Sequence, residues 1–93
     1  MNNVKEYRVI TTPTFEREMK KLLKRNPRAA EQTEQLLEFL KTDPYNRSGM
    51  RDIKKLTDVK EGEGQWRIRT GNYRVRYDII GEEVVLHFVG HRR

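Results

Sequence analysis

Cysteine is absent from this 93-residue chain. That absence removes a disulfide framework and any thiolate metal site. Histidine is scarce: His87 and His91 are the only two, and no His-x-x-x-His pair or paired-carboxylate motif accompanies them. This argues against a metal centre and a metal cofactor, and no motif calls for an organic cofactor. No apolar run approaches the ~20 residues of a membrane span, and no signal-type hydrophobic segment opens the chain. By elimination the sequence points to a soluble cytoplasmic protein. Apolar residues are also few, at 34% against 37% charged, so the core must be economical and the surface strongly ionic.

Positive charge is what the chain has in excess. Twenty Lys and Arg face fourteen Asp and Glu, for a formal net charge of +6. Such a balance favours polyanionic partners through steering and counterion release. The length fits a single domain over 1–93 with one core. There is no internal repeat, low-complexity tail or linker.

Residues 6–10 contain a short β-like run. Thr12-Pro13 marks a helix start, and Phe15, Met19, Leu22 and Leu23 form one apolar stripe. Asn26-Pro27 repeats the signal for a second helix, with Ala30, Thr33, Leu36, Leu37 and Leu40 on its buried side and Asp43-Pro44 at its end. A short strand is expected within 51–56, then a glycine-containing loop, then a β-meander. Helices run together and strands run together. The expected fold is therefore α+β: an N-terminal strand, a helical hairpin, then an antiparallel three- to four-stranded sheet with both helices on one face.

The meander carries the chemistry. Residues 66–77 alternate apolar and basic side chains around Gly71-Asn72, which suits a type II′ or I′ turn. That turn places Arg69 opposite Arg74, Ile68 opposite Val75, Arg67 opposite Arg76 and Trp66 opposite Tyr77. Like charges directly opposite one another destabilise a sheet, so two such pairs in succession call for a polyanionic ligand, of which nucleic acid is the most economical. A second turn at Gly81-Glu82 is expected to set Asp78 against Val85, Arg76 against His87 and Arg74 against Val89. Strict alternation then gives a core face with Trp66, Ile68, Tyr73, Val75, Tyr77, Ile79, Val84, Leu86 and Phe88. The other face carries Arg67, Arg69, Arg74, Arg76, Asp78 and His87.

Trp66-Arg67-Ile68-Arg69, then Gly71-Asn72-Tyr73-Arg74-Val75, then Val89-Gly90-His91-Arg92-Arg93 resembles the RelE/ParE toxin superfamily, and most closely its RelE-like mRNA interferase branch. The resemblance covers nearly the whole chain in element order. It implies a type II toxin–antitoxin toxin: a metal-independent, ribosome-dependent mRNA endoribonuclease that leaves 2′,3′-cyclic phosphate and 5′-hydroxyl ends. Its implied partners are a cognate antitoxin, the ribosome and mRNA. The family's basic strand residues fall on Arg67 and Arg69, its hairpin arginine on Arg74 and its C-terminal arginine on Arg92. Guanidinium groups suit phosphate binding and transition-state charge. Family members often carry lysine in the first strand, where arginine cannot exchange protons. They also commonly carry Tyr or His a few residues beyond the C-terminal basic cluster, and the sequence ends at Arg93, before that position. Histidine's ordinary pKa lies near neutrality, which makes His91 the candidate acid/base. Arg76, His87 and Arg93 are candidate RNA-binding residues, and the Lys20-Lys21 and Lys24-Arg25 pairs read as a solvated helix face. The alternatives are a ParE-like DNA gyrase inhibitor of the same fold, or a non-catalytic nucleic-acid-binding module.

Overall fold

A computed structural model describes residues 6–91. Arg92 and Arg93, two of the expected basic residues, lie outside that range. The elements follow the order β1 (Arg8–Thr11), α1 (Pro13–Arg25), α2 (Pro27–Leu40), β2 (Asp52–Lys55), β3 (Trp66–Thr70), β4 (Tyr73–Ile80) and β5 (Glu83–His91). The five strands form one sheet ordered β1-β5-β4-β3-β2. Four of them follow the helices and are antiparallel, as expected, while β1 joins the far edge in parallel with β5.

Both helices start where the capping signals placed them. Thr12 accepts a hydrogen bond from the Phe15 amide and Asn26 accepts one from the Ala29 amide, and a proline follows each cap. These bonds satisfy amides that a helix start otherwise leaves without partners. Phe15 and Leu22 of α1 and Ala29, Ala30, Leu36 and Leu40 of α2 meet Ile68, Val75, Tyr77, Val84, Leu86 and Val89 of the sheet in one core. Leu23 departs from the expected stripe and is 59% exposed. The stripe is narrower than a four-residue reading of it, since Leu22 already fills the position facing the sheet. At one end of the core, Tyr77 donates its buried hydroxyl to the Pro44 carbonyl at 2.8 Å. Trp66 stacks on Tyr77 and meets Tyr45 edge-on.

The first hairpin has the register its turn dictates, from Trp66 opposite Tyr77 to Thr70 opposite Tyr73. Gly71 has a φ of +57° and Asn72 is not among the residues with positive φ, which selects the type II′ turn over I′. The second hairpin departs from strict alternation. Asp78 does oppose Val85, but a bulge between Arg76 and Tyr77 inserts one residue into β5. Arg76 therefore lies opposite Phe88 rather than His87, and Arg74 opposite Gly90 rather than Val89. The bulge exchanges two faces: Val89 goes into the core, and Phe88 comes out at 42% exposure.

The exchange makes a stability prediction. Val89→Ala should cost about 1–2.5 kcal/mol of unfolding free energy, as truncation of a buried aliphatic does. Phe88→Ala should cost less than ~1 kcal/mol, where a core phenylalanine would cost ~3–5. Urea denaturation of the two variants measures the difference, and the reverse order would put Phe88 in the core.

Candidate functional site

The face of the sheet turned away from the helices carries the arginines. Two rows cross it. Lys54, Arg67, Arg76 and Phe88 lie opposite one another in the first, and Asp52, Arg69, Arg74 and Gly90 in the second. Both expected arginine pairs are thus formed. The carboxylate that offsets them comes from β2, whose register no local sequence signal reveals. Asp52 lies 3.5 Å from Arg67 Nη2 and 4.0 Å from Arg69 Nη1.

One acid shared by two guanidinium groups leaves donors over. Among the described residues, Arg67 Nη1 and Arg69 Nε are buried without a hydrogen-bond partner. A buried donor without a partner costs free energy, and what these two nitrogens lend the face is positive charge rather than a reachable hydrogen bond. Exposure separates the roles. The Arg67 side chain is 8% exposed against 36% for Arg69. Arg67 therefore supplies positive potential and orients Asp52 from beneath, while Arg69 can reach a ligand. The half-buried Arg74 guanidinium has no ion pair or side-chain hydrogen bond among the described residues.

Arg76 is held differently. Its Nε donates to the Gly64 carbonyl at 2.8 Å and its Nη2 to the Glu63 carbonyl at 3.0 Å. The neighbouring Asp78, fully buried, accepts from the amides of Gly62, Gly64 and Gln65 at 2.8, 3.1 and 2.9 Å, and meets His87 Nε2 at 2.8 Å. These side chains bind loop 56–65 to the end of the sheet beside Arg67. Gly64 is required there, because a Cβ on it would stand 2.9 Å from Arg76 Cβ and its φ is +84°. Burial pushes the Asp78 carboxyl upward in pKa, but the three amides and His87 outweigh it and hold the group below the usual carboxylate range. Arg76 and His87, expected as RNA-binding, thus have definite structural partners.

His91 lies opposite Tyr73, and their rings meet edge-on at 5.4 Å. The bulge gives it the parity of Val89, so it projects with Tyr73 from the helix side of β5, at the edge of the sheet. It borders one cleft with Glu18, Arg74, Arg76, Phe88 and Gly90, and a second with Lys21, Arg25 and Tyr73. Glu18 closes the strand edge there by accepting the Val89 amide at 3.0 Å. The structure thus brings Arg67, Arg69 and Arg74 together, while His91 borders the same edge cleft as Arg74 from the other face of β5. Sequence reasoning missed Asp52, Glu18 and the surface position of Phe88. Only the last had a local signal, the adjacent apolar pair Phe88-Val89 that interrupts alternation. Among the described residues no group of three or more His, Asp or Glu converges as metal ligands would, and no helix is long and apolar enough to cross a membrane.

The chain matches the family model described as ParE toxin of type II toxin-antitoxin system, parDE, over residues 9–93. Two solved structures are similar to it. One is the RelBE2 toxin–antitoxin complex of Mycobacterium tuberculosis, at 29% identity over 94% of this chain and 99% of that one, with a TM-score of 0.61. The other is the RelB–RelE antitoxin–toxin complex of Methanococcus jannaschii, at 25% identity over 89% of each chain, with a TM-score of 0.63. No curated protein sequence matches.

The Asp78 cluster has a defined pH dependence. A carboxyl depressed on folding stabilises fully above its unfolded pKa, ~3.9, and that stability is lost as pH falls through the lower folded value. Asp78→Asn should therefore be less stable than the wild type at pH 6, with the gap narrowing as pH falls from about 4. Asp78→Ala should cost roughly 3 kcal/mol at neutral pH, since three amides lose their acceptor. Urea midpoints across pH check both; a gap independent of pH would mean that the Asp78 charge contributes nothing.

Proposed function

The chain belongs to the ParE toxin family of type II toxin–antitoxin systems, within the RelE/ParE superfamily, and from that premise we propose that its arginine face cleaves mRNA on the ribosome. The observation that carries this reading is the pair of cross-strand arginine contacts, Arg67 with Arg76 and Arg69 with Arg74, offset by the one shared carboxylate of Asp52. Solved relatives named as RelE complexes support the RelE-like branch.

The chemistry suits such a face. In the reaction the ribose 2′-hydroxyl loses its proton and its oxygen attacks the adjacent phosphorus. The bond from phosphorus to the 5′ oxygen breaks, and that oxygen takes up a proton. A 2′,3′-cyclic phosphate and a 5′-hydroxyl remain. Negative charge grows on the non-bridging oxygens in the transition state, where planar guanidinium donors stabilise it. Arg69 and Arg74 are the arginines with exposure to do so directly, and Arg67 raises the local potential behind them. Arginine does not release a proton at physiological pH, so proton transfer falls to another group. His91, which borders the same edge cleft as Arg74, is our candidate. Arg92 extends the phosphate-binding set, and Arg76, His87 and Arg93 contribute to RNA binding. A cognate antitoxin neutralises the toxin in this reading, an acidic segment that folds over the basic protein.

Induced expression without antitoxin should arrest growth, with protein synthesis falling before DNA synthesis. Arg74→Ala should lower toxicity by at least about 100-fold, as loss of one transition-state donor does. Pulse labelling of both syntheses checks the order. DNA synthesis failing first, with gyrase inhibited, would instead establish the alternative suggested by the ParE description of the matching family model.

A further inference from the structure

Phe88 occupies an energetically inverted position. The bulge at Arg76/Tyr77 buries the smaller Val89 and leaves the larger Phe88 42% exposed. Phenylalanine has more apolar area to remove from water than valine, so regular pairing with Phe88 inside would bury more. The ring comes out beside a cation and a second ring. The Arg76 guanidinium lies 6.0 Å from its centroid, fixed by its bonds to Glu63 and Gly64, and the His87 ring lies 6.2 Å away. Phe88 and Arg74 line the same cleft, whose floor beside Arg74 is Gly90. A Cβ added at Gly90 would meet nothing within 4 Å, so the floor is open.

We propose that Phe88 is a stacking platform for one base of single-stranded RNA, seated over Gly90 while Arg74 and Arg69 hold the flanking phosphates. Single-strand binders combine these two elements, a basic groove for the backbone and an exposed ring for a base face. The role goes beyond phosphate binding, because a ring next to the reacting phosphodiester fixes which nucleotide sits there. It rests on the RNA reading above. An acidic antitoxin segment would satisfy the arginines equally well and could cover the ring with apolar side chains, but a flat ring backed by a fixed guanidinium, beside phosphate-binding arginines, matches a nucleotide in both its base and its phosphate.

The test is equilibrium binding of a short fluorescein-labelled oligoribonucleotide to the purified toxin, with inorganic polyphosphate as a backbone-only probe. Phe88→Leu should weaken RNA binding about tenfold, the scale of one base–aromatic stack, and leave polyphosphate binding unchanged. Phe88→Tyr should bind RNA within about twofold of wild type, since it keeps the ring. Gly90→Val should weaken RNA binding by filling the floor, and thermal melts confirm that each variant is folded. Phe88→Leu with wild-type RNA affinity overturns the proposal. So does a loss confined to antitoxin binding, which would assign the ring to a protein contact. The readout does not depend on cleavage: RNA binding sensitive to Phe88→Leu in a toxin that cuts no mRNA would sink the nuclease reading and leave the platform standing.

Discussion

Like charges held opposite one another across a β-ladder repel, and this protein holds two such pairs side by side, Arg67 with Arg76 and Arg69 with Arg74. The rest of the architecture makes that arrangement tenable. The opposite face of the same strands is the core, where Ile68 and Val75 pair beneath the helices, so any slip that separated the arginines would expose the apolar side chains. A type II′ turn at Gly71 fixes the pairing from one end. Asp52 offsets the charge in part from the neighbouring strand, and among the described residues two guanidinium nitrogens stay buried without a hydrogen-bond partner.

A second set of contacts confines one arginine of the face, Arg76. Asp78 gathers three amides and His87, and Arg76 closes on two carbonyls of the same loop. The loop then stands against the end of the sheet, with Gly64 packed tightly on Arg76. Fixing Arg76 in this way removes one mobile cation from the face and leaves Arg69 and Arg74 as the pair with reach.

Much of this was legible in the residues. The caps at Thr12 and Asn26, the helical hairpin and the complete register of the first hairpin follow from local chemistry, because each is decided within a few residues. The second hairpin was legible from its turn only as far as Tyr77. A bulge is set by contacts with distant elements, here those that put Val89 against the helices and Phe88 on the open face, and alternation alone cannot report it. The same holds for Asp52 and Glu18, whose partners lie in strands that come together only in the folded chain. The role of Asp78 was hidden for the same reason. Its position on the basic face could be read, but the loop amides that claim it are 13 to 16 residues away.

These features support the account proposed above: a small toxin whose sheet carries an under-neutralised guanidinium cluster suited to an anionic ligand, with a histidine at the sheet edge. The measurement that tests it most directly is cleavage of one defined mRNA in a cell-free translation reaction, mapping cut sites and end groups for wild type and Arg74→Ala. The account predicts cuts that require ribosomes, carry 5′-hydroxyl ends and disappear in the variant. Intact mRNA with translation continuing in the presence of the wild-type toxin would contradict it.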